Sequence, residues 1–106
     1  MIDRREIEEF CGRLVREFQP ERVVLFGSYA YGRPAEDSDV DLLVIMPFKG
    51  KRMRKAAEVL SRISPRIPVD LVVQSPEKVR ERLAQGDFFL REIFEKGKVL
   101  YDAARP

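Results

Sequence analysis

The chain has 106 residues, of which 44% are hydrophobic and 36% are charged, with a formal net charge of +2. This length predicts one domain, residues 1–106, around a single hydrophobic core. The sequence has no histidine and one cysteine, which excludes serine–histidine and cysteine–histidine nucleophilic mechanisms and an internal disulfide. No apolar run approaches the roughly 20 residues that cross a bilayer, and no signal segment precedes the charged N-terminus, so we expect a cytoplasmic protein without a membrane partner.

The first predicted element is a helix over about residues 4–18. Asp3 and Glu6 have the spacing of a capping box at its start, and Pro20 closes it. Cys11 lies on the apolar face of this helix, so we interpret it as a packing residue and not as a nucleophile. The apolar residues recur at the three-and-four spacing of one helical face: Ile7, Phe10, Cys11, Leu14, Val15 and Phe18.

Strand and helix patterns alternate after this helix. Residues 23–26 form a short apolar run that predicts a buried strand, and a helical turn over residues 29–31 follows it. Residues 39–46 predict a second strand. Its uninterrupted apolar run, residues 42–46, is typical of a strand that helices cover on both faces.

The C-terminal half continues the alternation. It predicts a helix over residues 51–63, a strand over 69–73, helices over 75–86 and 87–97, and an edge strand over 99–101. The inner face of the first of these helices is predicted to hold Met53, Ala56, Ala57, Leu60 and Ile63. The fold class is therefore α/β, with a small mixed or largely parallel sheet flanked by helices.

Acidic residues interrupt two of the predicted strands. Asp39 and Asp41 alternate along one strand, so their side chains share a face, with β-carbons roughly 6–7 Å apart. Asp70 interrupts another apolar strand and would join them if the two strands are neighbours. Alone, each acid has an ordinary interpretation as a turn cap, a strand end or a salt-bridge partner. Together they favour a site in which a divalent cation offsets the cost of unpaired carboxylates.

Gly27 and Ser28 follow the first strand, eleven residues before Asp39. Glycine lets the backbone approach an anion, and the start of a helix offers free amide hydrogens, which suits a triphosphate. An ordinary strand–helix turn is the alternative for this segment on its own. With the carboxylates, it predicts nucleotidyl or phosphoryl transfer with two Mg²⁺ ions, or Mn²⁺.

These residues resemble a known family. Gly27-Ser28-x-Ala30-x-Gly32, followed by Ser-Asp-Val-Asp-Leu-Leu-Val over residues 38–44, is similar to the signature of the DNA polymerase beta-like nucleotidyltransferase superfamily, especially its minimal (MNT-type) members. The signature covers residues 23–46, and the likeness extends over essentially the whole chain. The resemblance implies the palm-like fold of that superfamily.

The resemblance also implies roles for individual residues. Gly27 and Ser28 would bind the nucleotide, and the carboxylates would be both the catalytic residues and the magnesium ligands. These carboxylates are Asp39, Asp41 and Asp70. Asp70 would help to deprotonate the acceptor hydroxyl. Tyr31 departs from the family pattern, because many relatives carry arginine there, and Arg33 is a candidate to replace it.

The family further implies transfer of AMP from ATP to a hydroxyl of a HEPN-domain partner, as the antitoxin of a toxin–antitoxin pair. The alternative is a non-catalytic module that neutralises its partner by binding. Whether the chain forms a homo-oligomer stays open. Nucleic acid is not expected as a partner, because no RNA-binding motif is present.

Two surface features have alternative interpretations. Residues 47–68 carry seven basic residues against one acidic residue, which indicates either a docking face for an acidic protein or RNA, or a solvated helix face. Phe88, Phe89 and Phe94 could form an interaction patch, but we expect them mostly in the core.

Overall fold

A four-stranded sheet forms the centre of the fold. The computed structural model describes residues 1–105. In chain order the elements are α1 (Arg4–Phe18), β1 (Arg22–Phe26), α2 (Ser28–Tyr31), β2 (Val40–Ile45), α3 (Arg52–Ile63), β3 (Val69–Gln74), α4 (Pro76–Ala84), α5 (Phe88–Lys96) and β4 (Lys98–Asp102). Every predicted helix and strand is present, with ends within about two residues of the expected ones.

The strand order is β3-β2-β1-β4. Strand β1 is antiparallel to both β2 and β4, whereas β2 and β3 are parallel. The predictions of a mixed sheet and of an edge strand β4 are therefore confirmed, whereas the alternative prediction of a largely parallel sheet is wrong. The one parallel pair, β2 and β3, is joined through α3, which supplies the crossover that a parallel connection needs.

Helices cover both faces of β2, as its continuous apolar run predicts. Val40, Leu42 and Val44 lie in the core cluster that α1 and α3 build on one face. Leu43 and Ile45 lie in a smaller cluster with α4 and α5 on the other face. The alternating side chains of one strand thus join two cores.

Helix α1 begins as its sequence predicts. The Asp3 carboxylate accepts a hydrogen bond from the Arg5 amide (2.8 Å), and the Glu6 carboxylate accepts one from the Asp3 amide (3.1 Å).

Cys11 is buried on the packed face of α1. Burial, assisted by the nearby charge of Glu8, raises the pKa of the Cys11 thiol to about 11. The thiol therefore stays neutral at physiological pH, which fits a packing residue.

Two predictions about packing are wrong. Met53 and Ala57 are exposed, and α3 packs instead through the regular stripe of Ala56, Val59, Leu60 and Ile63. Phe88 and Phe89 are also exposed and not in the core, since they precede the buried stripe of α5, which holds Leu90 and Ile93. Phe94 is partly buried and packs as expected.

Among the helices of residues 1–105, none is both long enough and apolar enough to cross a bilayer.

Gly97 is required by close packing where α5 meets β4. A β-carbon there would lie 2.5 Å from the Ile93 carbonyl oxygen and 2.8 Å from that of Leu25. We expect Gly97→Ala to lower the free energy of unfolding by about 1–3 kcal/mol in urea denaturation. Gly12→Ala is the matched control, because its β-carbon would make only an ordinary 3.4 Å contact within α1. It should raise stability by about 0.5–1 kcal/mol, and equal effects of the two changes would contradict the packing argument.

Candidate active site

Two of the predicted carboxylates, Asp41 and Asp70, lie side by side where β2 and β3 begin. Asp41 is the second residue of β2 and is paired in register with Asp70 of β3. Neighbouring strands lie about 4.8 Å apart, and in-register side chains of a parallel pair point to the same face. The condition on which the sequence argument depended, that the two strands are neighbours, is therefore met. Asp39 lies one residue before β2 and is exposed.

The electrostatics of Asp41 show that the three carboxylates interact. Burial raises the pKa of Asp41 above its ordinary value, and the negative charges of Asp70 and then Asp39 raise it further. A cation bound here would relieve this repulsion. Within residues 1–105, however, no three acidic or cysteine side chains are already arranged as a complete set of metal ligands. The metal-binding and catalytic roles of the three aspartates stay predictions.

Gly27 lies directly against Asp41. Its φ angle is 73°, and a β-carbon at this position would be 2.1 Å from the Asp41 Oδ2. Only glycine therefore allows both the backbone conformation and the approach of the carboxylate. Phosphate binding is the role predicted for Gly27 from the sequence, which did not reveal this contact, because Gly27 follows β1 and meets Asp41 only through the pairing of β1 with β2.

The turn after β1 offers unused backbone donors. Helix α2 has four residues, too few for a substantial helix dipole, so any anion binding there depends on individual amides. The amides of Ala30 and Tyr31 donate to the Gly27 carbonyl, at 3.0 and 3.1 Å. Within residues 1–105 the amides of Ser28 and Tyr29 donate no hydrogen bond. Two adjacent donors are thus available beside the carboxylates.

An aromatic contact borders the site and was not anticipated. Phe26 precedes Gly27 and pairs in register with Asp41. The ring of Phe89 packs edge-on against Phe26, with centroids 5.7 Å apart, although Phe89 is about half exposed. The two consecutive phenylalanines at the start of a helix were the sequence signal, but hydrophobicity alone assigned them to the core.

The basic stretch lies at the other end of the sheet. The carboxylates occupy the start of β2, whereas the cluster at residues 49–54 follows its C-terminal end, six residues or about 20 Å away. Two cations of the basic stretch (residues 47–68) lie further along α3 and form ion pairs, Lys55 with Glu58 and Arg62 with Glu17. These two fit the solvated-face interpretation.

A cavity of about 590 Å³ between α4 and β4 contains none of the predicted site residues.

Comparison with known proteins gives a consistent family and fold. The family model of the nucleotidyltransferase domain matches residues 4–101. A protein of Methanocaldococcus jannaschii, provisionally named protein adenylyltransferase, is 27% identical over 103 residues, which cover 95% of this chain and all of that protein.

Solved structures share the fold. A provisionally assigned nucleotidyltransferase from Sulfolobus solfataricus superimposes with a TM-score of 0.67 at 20% identity, covering 95% of this chain and 81% of that one. A chain in the complex of the tri-AMPylated Shewanella oneidensis HEPN toxin with its MNT antitoxin gives a TM-score of 0.50 at 22% identity, covering 92% of this chain and 71% of that one. At these identities the structures support the predicted fold alone.

The contact between Gly27 and Asp41 can be tested with a double-mutant cycle. Gly27 has φ 73° and ψ −158°, a region that is essentially restricted to glycine, so Gly27→Ala costs backbone strain in any background. In the wild-type background it adds the clash with the Asp41 carboxylate, which Asp41→Ala removes. We therefore expect Gly27→Ala to cost about 1 kcal/mol more in the wild type than in Asp41→Ala, measured by urea denaturation. Equal losses in the two backgrounds would show that the Asp41 carboxylate simply moves aside.

The raised pKa of Asp41 predicts how stability depends on pH. The folded state binds the Asp41 proton more tightly than the unfolded state, so this residue's contribution is present below its unfolded pKa and is lost as pH rises through the folded pKa. Asp41→Asn cannot ionise. In a buffer with a metal chelator, we expect this variant to be more stable than wild type at pH 7, with the difference disappearing towards pH 3.5. Asp37→Asn, in the preceding exposed loop, is the control. A difference that grows on acidification would contradict the sign.

Proposed function

Because the chain belongs to the nucleotidyltransferase domain family, we propose that it transfers AMP from ATP, in a magnesium-dependent reaction, to a hydroxyl group of a HEPN-domain partner protein. The observation that carries this proposal is the register of Asp41 with Asp70 beside the turn at Gly27. ATP is the substrate of this reaction. We propose that the protein acts in the cytoplasm.

The donor set fits magnesium. Three carboxylates supply the hard oxygen ligands that this ion prefers, and burial together with the charges of Asp70 and Asp39 raises the pKa of Asp41. Asp39 and Asp70 are exposed, so their side chains are free to rotate towards a shared ion. Asp39 and Asp41 would hold two ions and Asp70 one of them. Bound there, Mg²⁺ would neutralise the departing pyrophosphate and lower the pKa of the attacking hydroxyl.

The chain's own residues account for the remaining steps. The acceptor hydroxyl oxygen attacks the α-phosphorus of ATP, the bond from that phosphorus to the bridging oxygen breaks, and pyrophosphate leaves. Asp70 takes the hydroxyl proton, which its exposed position on the outer strand β3 allows. The amides of Ser28 and Tyr29 hold the β- and γ-phosphates. No step requires histidine, in agreement with the composition.

The comparisons support a protein as the acceptor. The relative from M. jannaschii is named for protein adenylylation and matches the chain over its full length. The S. oneidensis complex, one chain of which shares this fold, contains a tri-AMPylated HEPN toxin. We therefore propose that this chain acts as the antitoxin of such a pair.

The test uses the chain, Mg²⁺, ATP labelled at the α-phosphate, and a purified HEPN-domain protein as the acceptor. We expect label on the partner from wild type, and a loss of roughly a hundredfold or more in rate for Asp41→Asn and for Asp70→Asn, because each removes charge that stabilises the transition state. Label placed at the γ-phosphate should not transfer.

Asp37→Asn is the matched control, because it removes a carboxylate from the loop before β2 without touching the proposed site. It should transfer AMP at the wild-type rate. Absence of transfer by wild type, or equal transfer by Asp41→Asn, would overturn the proposal. If Asp41→Asn still neutralised its partner fully, the chain would be a binding module and not an enzyme acting on that partner.

A further inference from the structure

The exposed aromatic side chains within residues 1–105 lie on the two helices that border the predicted site, α2 and α5. Among the phenylalanines and tyrosines of residues 1–105, only Tyr31, Phe88 and Phe89 are exposed, at 41%, 78% and 51%. We call these three residues the aromatic rim. All other rings are buried or half-buried. Leaving such rings in water forgoes the stabilisation that burial would give, so their location calls for an explanation.

The rim adjoins the carboxylates from two directions. Phe89 packs on Phe26, which pairs in register with Asp41, so its exposed edge lies on the same face as that carboxylate. Tyr31 lies three residues after Ser28 in α2, which places the two side chains on one side of the helical turn. The rim therefore extends along two elements that both border the site.

Unpaired cations accompany the rings. Arg91 lies three residues after Phe88 in α5 and so shares its side of that helix. Arg33 lies two residues after Tyr31. Both arginines are exposed, and neither forms an ion pair within residues 1–105. Aromatic anchors bordered by arginine are typical of protein–protein interfaces.

We propose that the aromatic rim is the surface that binds the acceptor protein, and that this protein offers an apolar patch bordered by carboxylates. The identity of the acceptor as a protein rests on the proposed function. A nucleobase is a poorer match, since it covers about one ring, whereas these rings occupy two separate elements. Phe88 projects almost fully into solvent, which suits insertion into a pocket of the partner.

The test compares Phe88→Ala with Met53→Ala, a matched change at a 74% exposed apolar residue of α3, which packs on the opposite face of the sheet. The probe is the same purified HEPN-domain protein. Its Kd is measured without nucleotide, and the KM for ATP and the KM for the protein are measured separately. We expect Phe88→Ala to raise the Kd and the KM for the protein roughly tenfold. The KM for ATP and the kcat at saturating partner should not change, and Met53→Ala should behave as wild type.

The outcomes separate this inference from the proposed function. If wild type binds the partner but transfers no AMP, and Phe88→Ala weakens that binding, the rim proposal holds while the proposed function fails. If wild type transfers AMP and Phe88→Ala leaves the partner's Kd unchanged, the rim proposal is overturned alone. A rise in the KM for ATP without a change in Kd would assign the ring to the nucleotide and would also overturn it. Unfolding midpoints check that the variants are folded.

Discussion

The crowding of negative charge around Asp41 is the constraint on which the site depends. Its carboxylate is half-buried, lies against the backbone of Gly27, and is raised in pKa by burial and by two further aspartates. Such an arrangement opposes folding, because nothing in the described chain neutralises it. It persists because the strand that carries Asp41 is otherwise embedded in apolar contacts on both faces.

The balance can be estimated from β2 itself. Its last four residues, from Leu42 to Ile45, are almost completely buried. Each contributes about 1.5–3 kcal/mol relative to exposure, which is an upper estimate, and the four together hold in place the strand that carries Asp41. The acids stand at the start of the strand, where water reaches them, and the continuous hydrophobic run from Leu42 follows. This order lets one strand anchor the core and still present charge at the surface.

Much of this arrangement could be predicted from the sequence, because its causes are local. Period-two alternation placed Asp39 and Asp41 on one face, and the capping residues placed the start of α1. The parallel neighbour that brings Asp70 beside Asp41 could not be predicted with the same security, since strand order depends on crossovers and not on local pattern. The phenylalanines of α5 were misplaced for a related reason, because hydrophobicity does not by itself decide burial.

The exposure of the carboxylates and the exposure of the rings have one explanation under the proposed function. Electrostatic stabilisation of a transition state is strong only where water is excluded, and Asp39 and Asp70 are open to solvent in this chain. The cavity of about 590 Å³ between α4 and β4 lies away from these carboxylates. Under the proposed function, the acceptor would supply the surface that covers them. Apolar rings at the edge of the site would hold that surface in place while the same contact expels water, so docking and activation would be one event.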